Sequence, residues 1–522
     1  MTSTRGLARA GLIVSSAFLV SRVFGWVRLV VIGNTVGATA DLDAFYAAFR
    51  IPDLIFQLVA AGALSSALIP IISTLLATEG SERAWRVVST VANLMLIALA
   101  VLAGLMFIAA PTLVPIITPG FDAATMATTV ELTRIMLVSA ICLAVGAVAT
   151  SVLNASGRFA AAAMAPSVYN LGIIAGTVLL FPAIGITGIA IGVVFGAVGH
   201  MLVQLPPVAG LGFRYHPAID RRDPMARKAL ALMVPRAVGL GATQITFVVV
   251  TAIATTLGVG AVSAFTVAFT LLQIPIGVIG VPLGVVLMPS LSREVATGRE
   301  AEYVALLTRA LRVLVFTMLP VAALVAILRT ETVTLLFGYG FSPDAIALTA
   351  ATLLTFLVGL VAHSLIAVLA RAFYARQDTL TPVILAVVAV VANTTLAYLL
   401  VDPLGLPGVS LAIAIAAWIE AIGLAAILHR RIPALHYGVL GRTAALTTIA
   451  TLLALAVGWL VREWASGLVA DLPRAVGLVV VIGLVTAAFG AVFLVVARAL
   501  RIAELPAIVG LMVDALRRPR RS

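Results

Sequence analysis

The 522-residue sequence contains one cysteine, Cys142, and one lysine, Lys228, and only 10% of its residues are charged. A single cysteine excludes an intrachain disulfide bond and a metal site built from cysteines. We expect Cys142 to be a small packing residue in its apolar run. Because soluble domains carry about 25% charged residues, so low a charge content excludes a soluble protein.

The sequence also lacks the spacing motifs of the common enzyme classes. It contains no His-Glu-x-x-His, no glycine-rich phosphate loop followed by Lys-Ser or Lys-Thr, and no paired acids on a long loop. No loop is long enough to fold as a soluble domain, which argues against an ATP-driven pump with its own nucleotide domain. We therefore expect neither catalysis nor a cofactor nor a bound metal.

Long apolar stretches dominate what is present. Hydrophobic residues make up 62% of the chain, and its mean hydropathy is +1.19. Stretches of about 20 apolar residues suffice to cross a bilayer, and continuous rather than alternating stretches indicate helices. We predict an all-α polytopic membrane protein with fourteen transmembrane helices. The predicted spans are 11–36, 44–76, 85–111, 128–153, 161–181, 184–207, 229–256, 261–291, 305–328, 345–370, 380–401, 405–428, 440–461 and 474–497.

The distribution of basic residues predicts the orientation. Most of them fall in loops on one side of the predicted spans, in the stretches 214–228, 293–312, 430–442 and 498–521. The positive-inside rule assigns these loops, and with them both chain termini, to the cytoplasm. Nucleic-acid binding has no support, because the basic residues are dispersed over loops and lack an aromatic binding surface.

An internal repeat divides most of the chain. Residues 43–50 align with 263–270, Pro70 with Pro289, and Pro166 with Pro382, at offsets of about 220 residues. Six spans separate the copies, so both have the same orientation, as parallel repeats of transporters do. We predict two six-helix lobes, 1–208 and 209–435, around a central cavity. Residues 436–522 add spans 13 and 14 and a basic cytoplasmic tail.

Charged side chains inside the first two spans are the main functional signal. Arg22, Arg28, Asp43 and Arg50 lie there, and a charge at the bilayer centre costs roughly 2.5–3.5 kcal/mol even on the insertion scale. Arginine pairs bidentately with phosphate and stays charged, so the cluster indicates a cationic pocket for an anionic ligand. Alternatively, Arg22 or Arg28 snorkels to the interface, and Asp43 is a counter-charge or a helix N-cap.

Further polar residues complete the candidate sites. Asp53, Ser263 and Gln273 join the predicted substrate-binding set. Glu420 lies in mid-span and is a candidate for ion coupling, with Asn393 as a second. The alternative for such residues is a hydrogen bond between neighbouring helices.

The ordered motifs of the chain resemble the MurJ/MviN lipid II flippases of the MOP exporter superfamily. The resemblance rests on Ser21 to Arg28, Asp43 to Phe45 with Pro52, Ala61 to Ala63, Ile69-Pro70, Leu153-Asn154 with Gly157-Arg158-Phe159, Ala165-Pro166, Gln204-Leu205-Pro206, Pro289 to Ser292, and Phe373 to Asp378 with Thr381-Pro382.

This resemblance implies a substrate, a mechanism and a location. Members move lipid II, an undecaprenyl-pyrophosphate-linked peptidoglycan precursor, between leaflets of the bacterial cytoplasmic membrane by alternating access. Cavity arginines bind the pyrophosphate, and Arg22, Arg28 and Asp43 match functional positions, while the last two spans hold the lipid tail. The sequence departs from the pattern at Phe56, Ala61 and Thr270, where members commonly carry charged residues.

The main hypothesis is therefore a lipid II flippase, not an enzyme, whose partners are lipid II, membrane lipids and cell-wall synthesis proteins. Two alternatives stay open: a divergent paralogue that exports another lipid-linked glycan, and a non-transporting membrane scaffold for cell-wall synthesis. A multidrug antiporter is disfavoured, because the predicted pocket would repel drug cations.

Overall fold

The computed structural model describes residues 4–59, 63–217, 219–435 and 437–506. The described residues form helices and contain no β-strand. The helices are α1 (Thr4–Val36), α2 (Ala40–Ala48), α3 (Arg50–Val59), α4 (Ala63–Thr78), α5 (Ser81–Ile117), α6 (Ala123–Ala155), α7 (Phe159–Ala175), α8 (Phe181–Ile184), α9 (Ile186–Leu202), α10 (Leu205–Ala209), α11 (Pro224–Thr255), α12 (Ala261–Pro275), α13 (Val281–Ala296), α14 (Glu300–Ile327), α15 (Arg329–Phe337), α16 (Pro343–Leu357), α17 (Leu360–Ala375), α18 (Leu380–Leu404), α19 (Leu406–Arg431), α20 (Gly438–Leu468) and α21 (Arg474–Ala499).

The all-α polytopic membrane fold is confirmed. Within the described ranges, ten helical stretches are long and apolar enough to cross a membrane. The number is eleven if α16 and α17, which are bent by 45° at a short break, form one span. The count of fourteen stays a prediction. Ala61 and the basic tail after residue 506 lie outside the described residues.

The chain divides into two compact units. Unit 1 contains residues 1–263 and 339–342, and unit 2 contains 264–338 and 343–522. In unit 1, α6 packs against α2, α3, α4, α5 and α9. In unit 2, α19 packs against α16, α17 and α18, and α20 packs against α14 and α21. The lobe boundaries after residues 208 and 435 stay predictions.

The second predicted span, 44–76, is interrupted. Pro52 has no N–H, and its ring would clash with the carbonyl four residues earlier, that of Ala48. The structure accordingly ends α2 at Ala48 and starts α3 at Arg50, with Phe49 between them. The hydroxyl of Thr133 on α6 lies 3.4 Å from the Ala48 carbonyl oxygen. A side chain from a neighbouring helix thus approaches a carbonyl that its own helix leaves unpaired.

The internal repeat is confirmed by the backbone at two turns. Gly157 and Gln377 are 220 residues apart, and both adopt a positive φ, of 73° and 62°. After each, the next amide donates to the carbonyl five positions earlier, at 2.8 and 3.0 Å. Gly185 and Gly405 form the second pair, with φ of 62° and 60°. Two stretches of different sequence thus follow the same path.

The turn after α17 shows that part of the motif Phe373 to Asp378 with Thr381-Pro382, which resembles the family, has a structural role. Asp378 accepts hydrogen bonds from the amide and hydroxyl of Thr381, at 3.0 and 2.6 Å, and from Arg431. Partial burial of Asp378 raises its pKa, but the bonds from Thr381 and Arg431 outweigh it and hold the pKa at about 2. Asp378 is therefore charged at physiological pH and fastens the turn to the end of α19.

Glycines set the distance between α7 and α9. A Cβ added at Gly192 would lie 2.8 Å from the Gly176 Cα, and one added at Gly172 would lie 2.3 Å from the Gly196 Cα. Small residues at such crossings let two backbones touch, which is a main source of helix association in membranes.

We predict that Gly192→Ala destabilises the protein by about 1–3 kcal/mol, because the new methyl group meets backbone atoms that cannot move aside. Gly104→Ala is the matched control. Gly104 lies inside α5 with nothing within 4 Å of an added Cβ, so alanine there should stabilise by about 0.5–1 kcal/mol. Thermal unfolding in detergent measures both, and shifts of the same sign would contradict the packing described.

Candidate functional site

Asp43 caps the start of a helix far from it in sequence. It lies in the first turn of α2 and is only 1% exposed. Its carboxylate accepts hydrogen bonds from the Gly260 amide at 2.6 Å, from the Ser263 amide at 2.8 Å and from the Ser263 hydroxyl. The first amides of a helix have no partner within it and carry the positive end of its dipole. Asp43 therefore supplies the N-cap of α12.

Asp43 and Ser263 occupy the same position in the two copies of the repeat. They are 220 residues apart, and each is almost completely buried. Two carboxylates at these positions would repel each other, whereas a carboxylate and a hydroxyl form a hydrogen bond. The loss of repeat symmetry at this pair thus has a direct physical reason.

Two equivalent loops make reciprocal contacts near this cap. The Gly120 amide donates to the Thr255 hydroxyl at 3.2 Å, and the Gly340 amide donates to the Asn34 side-chain oxygen at 3.2 Å. A Cβ at Gly120 would lie 2.2 Å from the Thr255 carbonyl oxygen, and one at Gly340 would lie 2.4 Å from that of Gly33. Neither contact has room for a side chain at the glycine. We call these residues together the capping cluster: Asn34, Asp43, Gly120, Thr255, Gly260, Ser263 and Gly340.

Arg50 is held by α11. Its Nε donates to the Thr251 hydroxyl at 2.9 Å, and its guanidinium carbon lies 5.3 Å from the centre of the Phe247 ring. The side chain is half-buried. Its two terminal nitrogens bond to no residue that the structure describes. Arg50 is therefore fixed at its base, and its two terminal nitrogens, with two N–H groups each, have no partner among the described residues, a geometry suited to phosphate.

Arg28 and Arg22 lie on α1, with Arg28 half-buried and Arg22 exposed. Neither forms a hydrogen bond or an ion pair with any part of the chain that is described. Tyr46 lies within electrostatic reach of Arg28, Asp43 and Arg50. The structure thus brings these three predicted site residues around one buried tyrosine and leaves Arg22 nearer the surface.

Asp53 balances part of this positive charge. It follows Arg50 by one turn of α3, within electrostatic reach of it, and accepts a hydrogen bond from Gln244 at 3.2 Å.

The contribution of α11 through Phe247 and Thr251 was not predicted from the sequence. Its only signal is their spacing of four residues, which places them on one helix face.

The other candidates belong to unit 2. Gln273 is exposed on α12, and Glu420 is half-buried on α19. Asn393 on α18 is 3% exposed, and neither atom of its amide has a partner among the described residues. Two residues that depart from the family pattern have partners within the structure. Thr270 donates to the Thr266 carbonyl at 2.7 Å, and Phe56 packs against the core of unit 1.

Comparisons with solved structures identify the fold. The structure titled "Lipid II flippase MurJ, inward closed conformation" covers 94% of this chain and 99% of its own, with a TM-score of 0.78 and 22% identity. An inward-facing multidrug resistance MATE family transporter of the MOP superfamily covers 81% of this chain and 98% of its own, with a TM-score of 0.68 and 18% identity. At these identities the likeness concerns the fold.

Comparisons of sequence identify the family. The family model described as "Lipid II flippase MurJ" matches residues 32–477. The Lipid II flippase MurJ of Burkholderia cenocepacia is 34% identical over 429 residues, which are 80% of this chain and 82% of the relative. The probable lipid II flippase MurJ of Rhizobium tropici is 32% identical over 434 residues, 81% of each chain. The chain therefore belongs to the MurJ family of lipid II flippases.

Proposed function

We propose that this protein translocates lipid II from the inner to the outer leaflet of the bacterial cytoplasmic membrane by alternating access. The observation that carries the proposal is Arg28, a half-buried cation without a partner among the described residues, in a chain of this family. A buried charge is costly unless a partner neutralises it, and a translocated pyrophosphate is such a partner.

The three arginines would divide the work of binding. Arg50 is oriented in advance by Thr251 and Phe247, so little side-chain entropy is lost when its tip binds phosphate. Arg28 is free to move with the substrate. Arg22, which is exposed, would meet the headgroup first, and Asp53 would weaken binding enough to allow release. The step is binding and conformational exchange, without bond breaking.

The capping cluster would close the translocation pathway on the side opposite to the one through which the substrate enters. While Asp43 holds the first turn of α12, the two copies of the repeat stay joined there. Opening that side requires those bonds to break. Ser263 would then be free to contact the substrate, as Gln273 is already by its exposure. A ligand that binds the open state more tightly supplies the free energy for the change.

Unit 2 would couple transport to an ion. Glu420 is half-buried, and neither it nor the amide of Asn393 has a hydrogen bond to a described residue. An ionisable residue within a membrane is a candidate for an ion pathway, and an amide such as that of Asn393 can join it as a ligand.

The orientation remains as the positive-inside rule gives it, with both termini in the cytoplasm. The basic loops would then face cell-wall synthesis proteins and anionic lipid headgroups on that side. Because the relatives that match across most of the chain are described as lipid II flippases, neither another lipid-linked glycan nor a scaffold role is favoured.

We predict that Arg28→Ala abolishes growth of a strain depleted of its own lipid II flippase. Losing a charge-assisted bond should weaken substrate binding by about tenfold or more. Arg28→Lys should restore growth in part, because it keeps the charge but loses the planar fork. Arg86→Ala is the control, since Arg86 is exposed and its ion pair among the described residues is with exposed Glu82. Full growth with Arg28→Ala, at normal membrane levels, would refute the binding role.

We predict a graded loss of function at the cap. Asp43→Ala removes the acceptor for all three donors and should abolish complementation, whereas Asp43→Asn keeps one oxygen acceptor and should retain part of it. Ser263→Ala removes only the hydroxyl and should be mildest. The same order should appear in the thermal stability of the purified variants. If Ser263→Ala were as severe as Asp43→Ala, the amide bonds to the carboxylate would not be the important ones.

A further inference from the structure

An exposed groove of unit 1 combines an apolar wall with two opposite charges. It lies among α5, α6 and α9 and has a volume of about 950 Å³. Phe107, Val138 and Phe195 line it and are 48%, 50% and 63% exposed. An apolar wall alone is what any lipid-facing surface shows. The charged residues in this groove, Glu131 and Arg134, need a different explanation.

Arg134 is anchored by a proline defect in α5. Pro111 has no N–H to donate to the Phe107 carbonyl, four residues earlier. Arg134 takes that place: its Nε donates to the Phe107 oxygen at 3.1 Å, and its guanidinium carbon lies 5.0 Å from the Phe107 ring centre. Only Nε is used. The terminal nitrogens have no partner in the described part of the chain, so a fixed pair of donors lines the groove.

Glu131 lies one turn before Arg134 on α6 and lines the same groove. It accepts a weak hydrogen bond from the Thr187 hydroxyl at 3.4 Å. Opposite charges three residues apart on a helix usually pair, yet no ion pair joins these two among the described residues. Each charge therefore stays available to a ligand, one as an acceptor and the other as a donor.

The position along α6 suits a headgroup. The 33 residues of α6 extend about 50 Å, roughly 20 Å more than the hydrocarbon core. Arg134 lies about 17 Å from the first residue of α6 along its axis. If the helix is centred in the bilayer, this is close enough to the hydrocarbon edge for the side chain to reach the phosphate level.

We propose that this groove binds phosphatidylethanolamine. The phosphate would bind the terminal nitrogens of Arg134, the primary ammonium would donate to Glu131, and the acyl chains would fill the apolar groove. Phosphatidylglycerol has no ammonium for Glu131 and would be repelled by it. Phosphatidylcholine has a quaternary nitrogen without N–H donors. Of the three lipids, only phosphatidylethanolamine offers both a phosphate for Arg134 and an ammonium N–H donor for Glu131.

Native mass spectrometry of the full-length protein, with equal amounts of these three lipids carrying identical acyl chains, tests the proposal. We expect the wild type to prefer phosphatidylethanolamine. Arg134→Gln should reduce its binding by roughly tenfold. Glu131→Gln should keep binding but remove the preference over phosphatidylglycerol. Arg86→Gln should behave as wild type, because Arg86 is exposed and its ion pair in the described part of the chain is with exposed Glu82.

The glutamate variant is decisive, because Arg134→Gln also frees the Phe107 carbonyl and would lower stability by itself. Equal binding of the three lipids by the wild type would overturn the proposal. So would an unchanged preference in Glu131→Gln. A preference for phosphatidylglycerol would show that Arg134 acts alone on anionic headgroups, and this too would contradict the assignment.

Discussion

The contact between the Asp43 carboxylate and the start of α12 is the constraint on which the rest of the site depends. A carboxylate that is only 1% exposed needs hydrogen-bond partners to compensate for the hydration it has lost. The first turn of α12 provides three donors. The bond joins a residue to its own repeat equivalent. A second acid at the Ser263 position would repel Asp43, whereas the hydroxyl adds a third hydrogen bond to the two from backbone amides. The close contacts at Gly120 and Gly340 continue the cluster without side chains.

The acidic side chain of the capping cluster and the arginines near it have different roles. The Asp43 carboxylate of the capping cluster is hydrogen-bonded to helix amides and is therefore not available to neutralise an arginine. Among the described residues, Arg28 therefore forms no ion pair, and Asp53 is the carboxylate within electrostatic reach of Arg50. The second copy of the repeat carries Thr270 where Arg50 stands in the first, and its hydroxyl is satisfied within its own helix. If these arginines bind the substrate as proposed, recognition of an anion is concentrated in one copy, and Thr251 and Phe247 of α11 orient Arg50 from the start of the other copy.

The sequence predicted well whatever depends on composition and on charge in an apolar setting. The membrane fold and the repeat follow from hydropathy and spacing. The cost of buried charge singled out Arg28, Asp43 and Arg50, which lie around Tyr46, and their role in binding stays a prediction. It did not predict the partners that lie far away in sequence. Asp43 caps a helix 217 residues later, and no local pattern encodes which helix end will arrive there. The break in the second span, where α2 ends at Ala48 and α3 starts at Arg50, was also missed.

The central claim is that the capping cluster must open for transport. Gly260 and Ala38 allow a direct test, because a Cβ at Gly260 would lie 3.4 Å from the Ala38 Cβ, close to the spacing of a disulfide. The measurement is lipid II translocation in proteoliposomes by the variant Ala38→Cys/Gly260→Cys, with Cys142→Ser to remove the native thiol. The account predicts that oxidation stops translocation and that reduction restores it, while each single-cysteine variant is insensitive. Equal translocation by the oxidised and reduced forms, with the cross-link verified, would contradict it.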